Sequence, residues 1–123
     1  MKALIVDDAE LSRFSLGRIM AHLGFEPIEA VDAQEALQII QLNPEIKVVM
    51  LRSRKSVVNG YNFLTEIKAL PGIAVAPKVL VVGAEVEMPS ILKMLTDGAD
   101  EYIIKPYDRE AVARKLKAAG LIC

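Results

Sequence analysis

Short apolar runs rich in β-branched residues alternate along this chain with longer amphipathic stretches, and that alternation constrains its fold more than any other feature. The runs are Ala3 to Val6, Pro27 to Ala30, Val48 to Leu51, Val79 to Val82 and Tyr102 to Ile104. They are apolar enough for strands covered on both faces. Between them Leu11, Phe14, Ser15, Ile19 and Leu23 keep helical spacing, as do Ala36, Leu37 and Ile40, and later Ile67 and Leu70. Five strands alternating with five helices describe an α/β unit built on a parallel sheet. Gly24, Gly60, Gly98 and the pair Pro71-Gly72 punctuate the pattern as turns and helix caps.

The remaining bounds come from length, charge and cysteine usage. At 123 residues and 53% hydrophobic, the chain is one domain's worth and buries a single core rather than staying disordered. A net charge of −1 gives no overall drive toward nucleic acid or an anionic membrane, although a local basic loop stays open. The one cysteine, Cys123, forms no intrachain disulfide and fits a reducing compartment; it reads as a frayed terminal residue. The first apolar run reaches Asp7 and Asp8 too soon to be a signal-peptide core or a membrane span, so a cytoplasmic protein is expected. No repeat, low-complexity stretch or linker interrupts the chain. Its last helix, roughly Asp108 to Ala119, stops at Gly120, so residues 1–123 are expected to form one domain with no output domain. Such a chain acts by touching another molecule.

In a doubly wound sheet of order 2-1-3-4-5, the ends of the first and third strands meet at the switch point where ligands gather. Asp7 and Asp8 follow the first strand, Arg52 the third, Gly83 and Ala84 the fourth and Lys105 the fifth, so these residues are expected to converge on one shallow cleft. Val6-Asp7-Asp8, Asn59-Gly60, Gly98-Ala99-Asp100-Glu101-Tyr102 and Lys105-Pro106-Tyr107, in that order and spacing, resemble the receiver domain of two-component response regulators. The resemblance covers the whole chain. It implies a flavodoxin-like doubly wound, five-stranded parallel sheet with five helices. No single motif is specific, since paired aspartates and Lys-Pro are common; the four together are.

Residue by residue, the resemblance implies that Asp7 and Asp8 match the acids that help hold Mg²⁺, and that Lys105 matches the lysine that balances the phosphoryl charge. Arg52 stands where the family has its phosphoacceptor aspartate. A guanidinium has no lone pair free to attack phosphorus and stays protonated at physiological pH, so this position accepts no phosphoryl group. The family's serine or threonine is replaced by Gly83, while its aromatic relay residue is kept as Tyr102. The proline usually found four residues after the phosphoacceptor is Ser56. Both the chemical step and its first relay are expected to be absent.

Metal binding is expected to be weak or absent for the same reason. Mg²⁺ takes carboxylates and waters in strict octahedral geometry, and this site has exchanged a carboxylate for a cation. Two unit charges about 4 Å apart interact by roughly 4 kcal/mol at an effective dielectric of about 20, so Arg52 beside Asp7 or Asp8 repels Mg²⁺ and occupies its ligands. Each residue also has a plainer reading. In these readings Arg52 extends into solvent from an exposed loop, Asp7 and Asp8 cap the first helix, Lys105 is a solvated lysine before a turn, and Tyr102 sits on an edge strand with its hydroxyl wet. His22, near the end of the first helix, has no partner cluster and reads as exposed.

The leading expectation is a pseudo-receiver: not an enzyme, but a phosphorylation-independent protein-interaction module in two-component signalling. Receivers commonly contact partners or dimerise through the fourth helix, fifth strand and fifth helix. On that surface Lys93, Asp97, Asp100, Glu101, Arg109 and Arg114 supply mixed charges that either set partner specificity or form an ordinary solvated face. A histidine kinase or another signalling protein is the expected partner class, and a homodimer is also open. The alternative is a sensor: Arg52, Arg54 and Lys55 place three cations in four residues, where an anionic nucleotide would bind, although such runs are usually solvated. A dinucleotide-binding enzyme is disfavoured because Asp7-Asp8-Ala9-Glu10 lacks the glycines that a pyrophosphate needs.

Overall fold

The computed structural model describes residues 1–53, 63–73, 75–84 and 88–123, except for the side chains at 90 and 91. The chain runs β1 (Lys2–Val6), α1 (Glu10–His22), β2 (Glu26–Ala30), α2 (Ala33–Leu42), β3 (Ile46–Arg52), α3 (Phe63–Lys68), β4 (Lys78–Ala84), α4 (Met88–Thr96), β5 (Glu101–Lys105) and α5 (Arg109–Ala118). The five strands are parallel and ordered β2-β1-β3-β4-β5, as the alternation of apolar runs and amphipathic stretches predicts. Every strand is longer than its apolar run by one to three residues. Lys2, Glu26, Lys78, Glu101 and Lys105 all pair within the ladder although they are charged. Hydrophobicity marks only the buried part of a strand; the ladder needs only N–H and C=O groups.

Alternation within the central strands divides the core in two. Leu4 and Val6 of β1 and Val49 and Leu51 of β3 face a layer built from Ala36 and Ile40 of α2 and Phe63 and Ile67 of α3. Ala3, Ile5, Val48 and Met50 face the other way, against Leu16 and Met20 of α1 and Val112 and Leu116 of α5. Helices on both faces explain why β3 is buried along nearly its whole length.

The buried stripe of α1 differs from the expected one. Leu16, Gly17 and Met20 face the sheet, Ile19 is only half-buried, and Leu11 and Phe14 are exposed at 84% and 56%. Apolar residues lie on more than one side of this helix, so spacing alone does not fix which side packs. Gly17 lies over Pro27 of β2, where a Cβ would meet the proline side chain at 3.6 Å, an ordinary contact distance.

Two glycines end helices where the next strand must begin. Gly24, at φ 94°, lets Phe25 N–H reach back to the Met20 carbonyl (3.0 Å) and its own N–H reach that of Ala21 (3.1 Å). Gly98, at φ 118°, repeats the arrangement with Ala99 to Met94 (2.9 Å), turning the chain into β5. Left-handed backbone of this kind costs glycine little. Among the described residues, no helix is long and apolar enough to cross a membrane.

α2 begins at a reciprocal cap, in which the Asp32 carboxylate accepts from Glu35 N–H (2.9 Å) and the Glu35 carboxylate accepts from Val31 N–H (3.1 Å). Replacing Asp32 with alanine should lower the unfolding free energy by about 1 kcal/mol, read from urea midpoints at constant slope. An unchanged midpoint would show that the cap contributes nothing.

Candidate functional site

In-register pairing of β1 and β3, with Val6 opposite Leu51, brings the residues that follow to the same edge of the sheet. Asp7 leaves β1 there and remains 4% exposed. Its N–H donates to the Ala30 carbonyl (3.1 Å), and its Oδ1 accepts from Ala9 N–H (2.9 Å), a turn that launches α1. Asp7 thus serves the start of the helix as well as facing the site. Asp8 is exposed. Arg13 locks this corner: Nη1 donates to the Asp7 carbonyl (2.8 Å) and Nε to the Glu29 carboxylate (2.6 Å), tying β1, α1 and β2 together.

Arg52 is the last residue of β3, opposite Val82 of β4, and the ladder continues through Ser53 N–H to the Val82 carbonyl (2.8 Å). Its side chain does not extend into solvent; the residue is 7% exposed, and Ser53 beside it 5%. The Nε atom is buried with no hydrogen-bond partner among the described residues, although the residue itself does interact with its surroundings. A buried guanidinium is costly unless opposite charge or acceptors accompany it, so its environment is a determinant of the site.

Tyr107 joins this edge, a residue that the sequence motif contained but to which it assigned no part. Burial pushes its phenol above the ordinary tyrosine value of 10.0, the Asp7 carboxylate adds to that rise, and the Arg52 guanidinium opposes it. Asp7, Arg52 and Tyr107 therefore share one electrostatic neighbourhood.

Lys105 ends β5 opposite Ala84, and a cis peptide joins it to Pro106. Its Nζ donates to the Ser12 hydroxyl (2.9 Å) on α1 and it has a further interaction, so it is an engaged lysine rather than a merely solvated one. Gly83 lies buried in β4 opposite Ile104, with no side chain to offer a hydroxyl. Tyr102, opposite Val81, is half-buried, with the Lys115 ammonium 4.0 Å from its ring centroid. Lys115 also meets Glu101 at 3.3 Å, so α5 covers one face of the ring with a held cation.

The charged residues expected on the partner surface divide by use. Asp100 accepts from Val79 N–H (2.8 Å) and stands 3.7 Å from Lys78, and Glu101 holds Lys115 at 3.3 Å, so both also make contacts within the domain. Lys93 and Asp97 pair along α4 at 3.3 Å, while Arg109 and Arg114 are exposed on α5. His22 is exposed at the end of α1. Arg54 and Lys55, with Ser56 and the Asn59-Gly60 motif, lie outside the described residues. Among the described residues, no three His, Cys, Asp or Glu side chains gather in a way that could hold a metal.

Comparison with known proteins extends this geometry. The family model of the response regulator receiver domain matches residues 3–117. The chemotaxis protein CheY1 of Helicobacter pylori is 25% identical over 118 residues, covering 95% of this chain and 94% of that protein. A receiver domain protein of Clostridium thermocellum superposes with a TM-score of 0.81 at 23% identity, over 96% of this chain and 92% of its own. The chemotaxis protein CheY4 of Vibrio cholerae gives 0.81 at 22% identity, over 96% of this chain and 97% of its own. At these identities the structural likenesses bear on the fold alone.

The raised Tyr107 value has a consequence for stability. A phenol that ionises less readily when folded leaves the unfolded chain with fewer bound protons above its ordinary value, so stability falls as pH rises through 10 and beyond. Tyr107→Phe should flatten this alkaline decline between about pH 9 and pH 11, measured by urea unfolding at each pH. A decline equally steep in the variant would remove Tyr107 from the site's electrostatics.

Proposed function

The chain belongs to the response regulator receiver family of two-component signalling, and from that premise we propose that it is a pseudo-receiver, a module that binds protein partners without being phosphorylated. One observation carries the reading: the residue ending β3 is Arg52, and its guanidinium stem is buried rather than turned into water. An arginine there supplies neither the carboxylate that would attack phosphorus nor a lone pair to replace it. Receiver domains usually bind Mg²⁺ for phosphorylation. The donor set here does not suit that ion, because one of its carboxylate positions is held by a permanent cation. Arg52 instead forms an internal ion pair with Asp7 or Asp8 in the metal's place. The protein is accordingly not an enzyme and needs no cofactor.

Receiver domains act through other signalling proteins such as histidine kinases. For this chain the contact surface is α4, β5 and α5, presenting Lys93, Asp97, Arg109 and Arg114, and it also serves for self-association if the protein dimerises. The Lys115 ammonium over Tyr102 supports a relay held in one state, since moving the ring would forfeit that contact and strain the Glu101 bridge. Mixed charge at such a surface selects among partners more than it adds affinity. A cytoplasmic location follows from the signalling role and from the single thiol.

Incubation with a small acyl phosphate and Mg²⁺ should leave the intact mass of the protein unchanged. An acid-labile adduct of one phosphoryl group per chain would contradict the proposal and show that another residue, such as Asp8, had taken the acceptor role.

A further inference from the structure

The outer side of α1 carries a pattern of side chains that the fold does not use. Viewed down the helix axis, Glu10, Leu11, Phe14, Arg18, Ala21 and His22 share one stripe, turned away from Leu16 and Met20, and all six are exposed. Leu11 and Phe14, three residues apart, adjoin and form an apolar patch on a helix whose core contacts are made on its other side. The Arg18 guanidinium lies 5.9 Å from the Phe14 ring centroid, at the outer limit of a cation–π contact. Among the described residues, no hydrogen bond or ion pair engages the side chain of Glu10 or His22.

The stripe is self-complementary in one orientation. Laid antiparallel on a second copy, about a two-fold axis at the level of residue 16, Leu11 stands level with the partner's Ala21, Phe14 with the partner's Arg18, and Glu10 with the partner's His22. A large side chain meets a small one in the outer layers, and in the inner layers each ring meets a guanidinium. Arg18 is also long enough to reach the partner's Glu10, one helical turn away. The acidic beginning of each helix then faces the basic end of the other, and the two helix dipoles oppose. A parallel pairing would instead set Glu10 on Glu10 and Arg18 on Arg18 and align the dipoles, all of which repel.

We propose that α1 is a self-association surface, through which two copies of this chain form a symmetric antiparallel pair centred on Phe14 and Arg18. A contact of one 13-residue helix per copy falls below about 1,200 Å² of total buried surface, the range of transient complexes. The dimer is accordingly weak, with a dissociation constant of about 10 μM to 1 mM. This face uses neither the end of β3 nor α4, β5 and α5, so it stands whether or not Arg52 excludes phosphorylation.

Sedimentation velocity of the full chain, across that range of concentration, tests the proposal. The parent should move from monomer toward dimer as concentration rises, and Phe14→Asp should stay monomeric throughout. Glu10→Lys and Arg18→Glu, each alone, should weaken association by about tenfold or more, because each sets like charges together in both halves of the pair. Mixed in equal amounts, those two variants should regain the dimer, since every reversed charge then meets its opposite. All three substitutions fall at exposed positions and are compatible with folding. A parent that stays monomeric, undiminished association of Phe14→Asp, or a mixture that associates no better than its components would overturn the proposal. A dimer that survives all three substitutions would do so as well, by placing self-association on another face.

Discussion

Parallel pairing of β1 with β3 places Val6 opposite Leu51, and the rest of the site depends on that register. Both strands are buried on both faces, so neither can slip by one residue without turning core side chains to the wrong layer. The charged residues that follow are consequently carried to one edge whatever their own preferences. Asp7 and Arg52 arrive there with little exposure, and both act electrostatically on the Tyr107 phenol of the β5–α5 connection. The sheet's packing supplies the energy that holds these charges at an edge they would not choose from water alone.

On the proposed reading, this arrangement gives the site a fixed charge instead of a switchable one. A receiver that gains and loses a phosphoryl group on an aspartate exchanges a singly charged carboxylate for an acyl phosphate of up to two charges, a change of about one unit. An arginine in a buried strand end changes by none, because its proton is not lost at any physiological pH. The surrounding contacts fit a static edge. Arg13 braces the β1–α1 corner against Glu29, Lys105 is drawn to Ser12, and Lys115 sits over Tyr102 while bridging to Glu101. These contacts join the sheet to α1 and α5.

The fold was legible in the sequence because five apolar runs and their intervening amphipathic stretches leave few alternatives to a parallel doubly wound sheet. Strand ends were less so, since residues such as Lys78 and Glu101 pair through backbone alone. The buried side of α1 was not legible from spacing: Leu11 and Phe14 match the helical period yet face outward, and the closeness of Gly17 to Pro27 is a tertiary fact. At the site, Arg52 drew notice only against the pattern of related chains, and its burial needed the structure. Arg13, Tyr107 and Lys115 carried no local signal, because each acts on a residue brought near by the fold. The intradomain contacts of Asp100 with Val79 and of Glu101 with Lys115 were not legible from their charge.

The central claim is that Arg52 takes the place of both the phosphoacceptor and the metal. Calorimetric titration of Mg²⁺ into the parent protein, Arg52→Gln and Arg52→Asp tests it most directly. The account predicts no saturable heat with the parent and a saturable site in Arg52→Asp, where a third carboxylate stands at the end of β3, with Arg52→Gln between them. Mg²⁺ binding by the parent as tight as that of Arg52→Asp would contradict it.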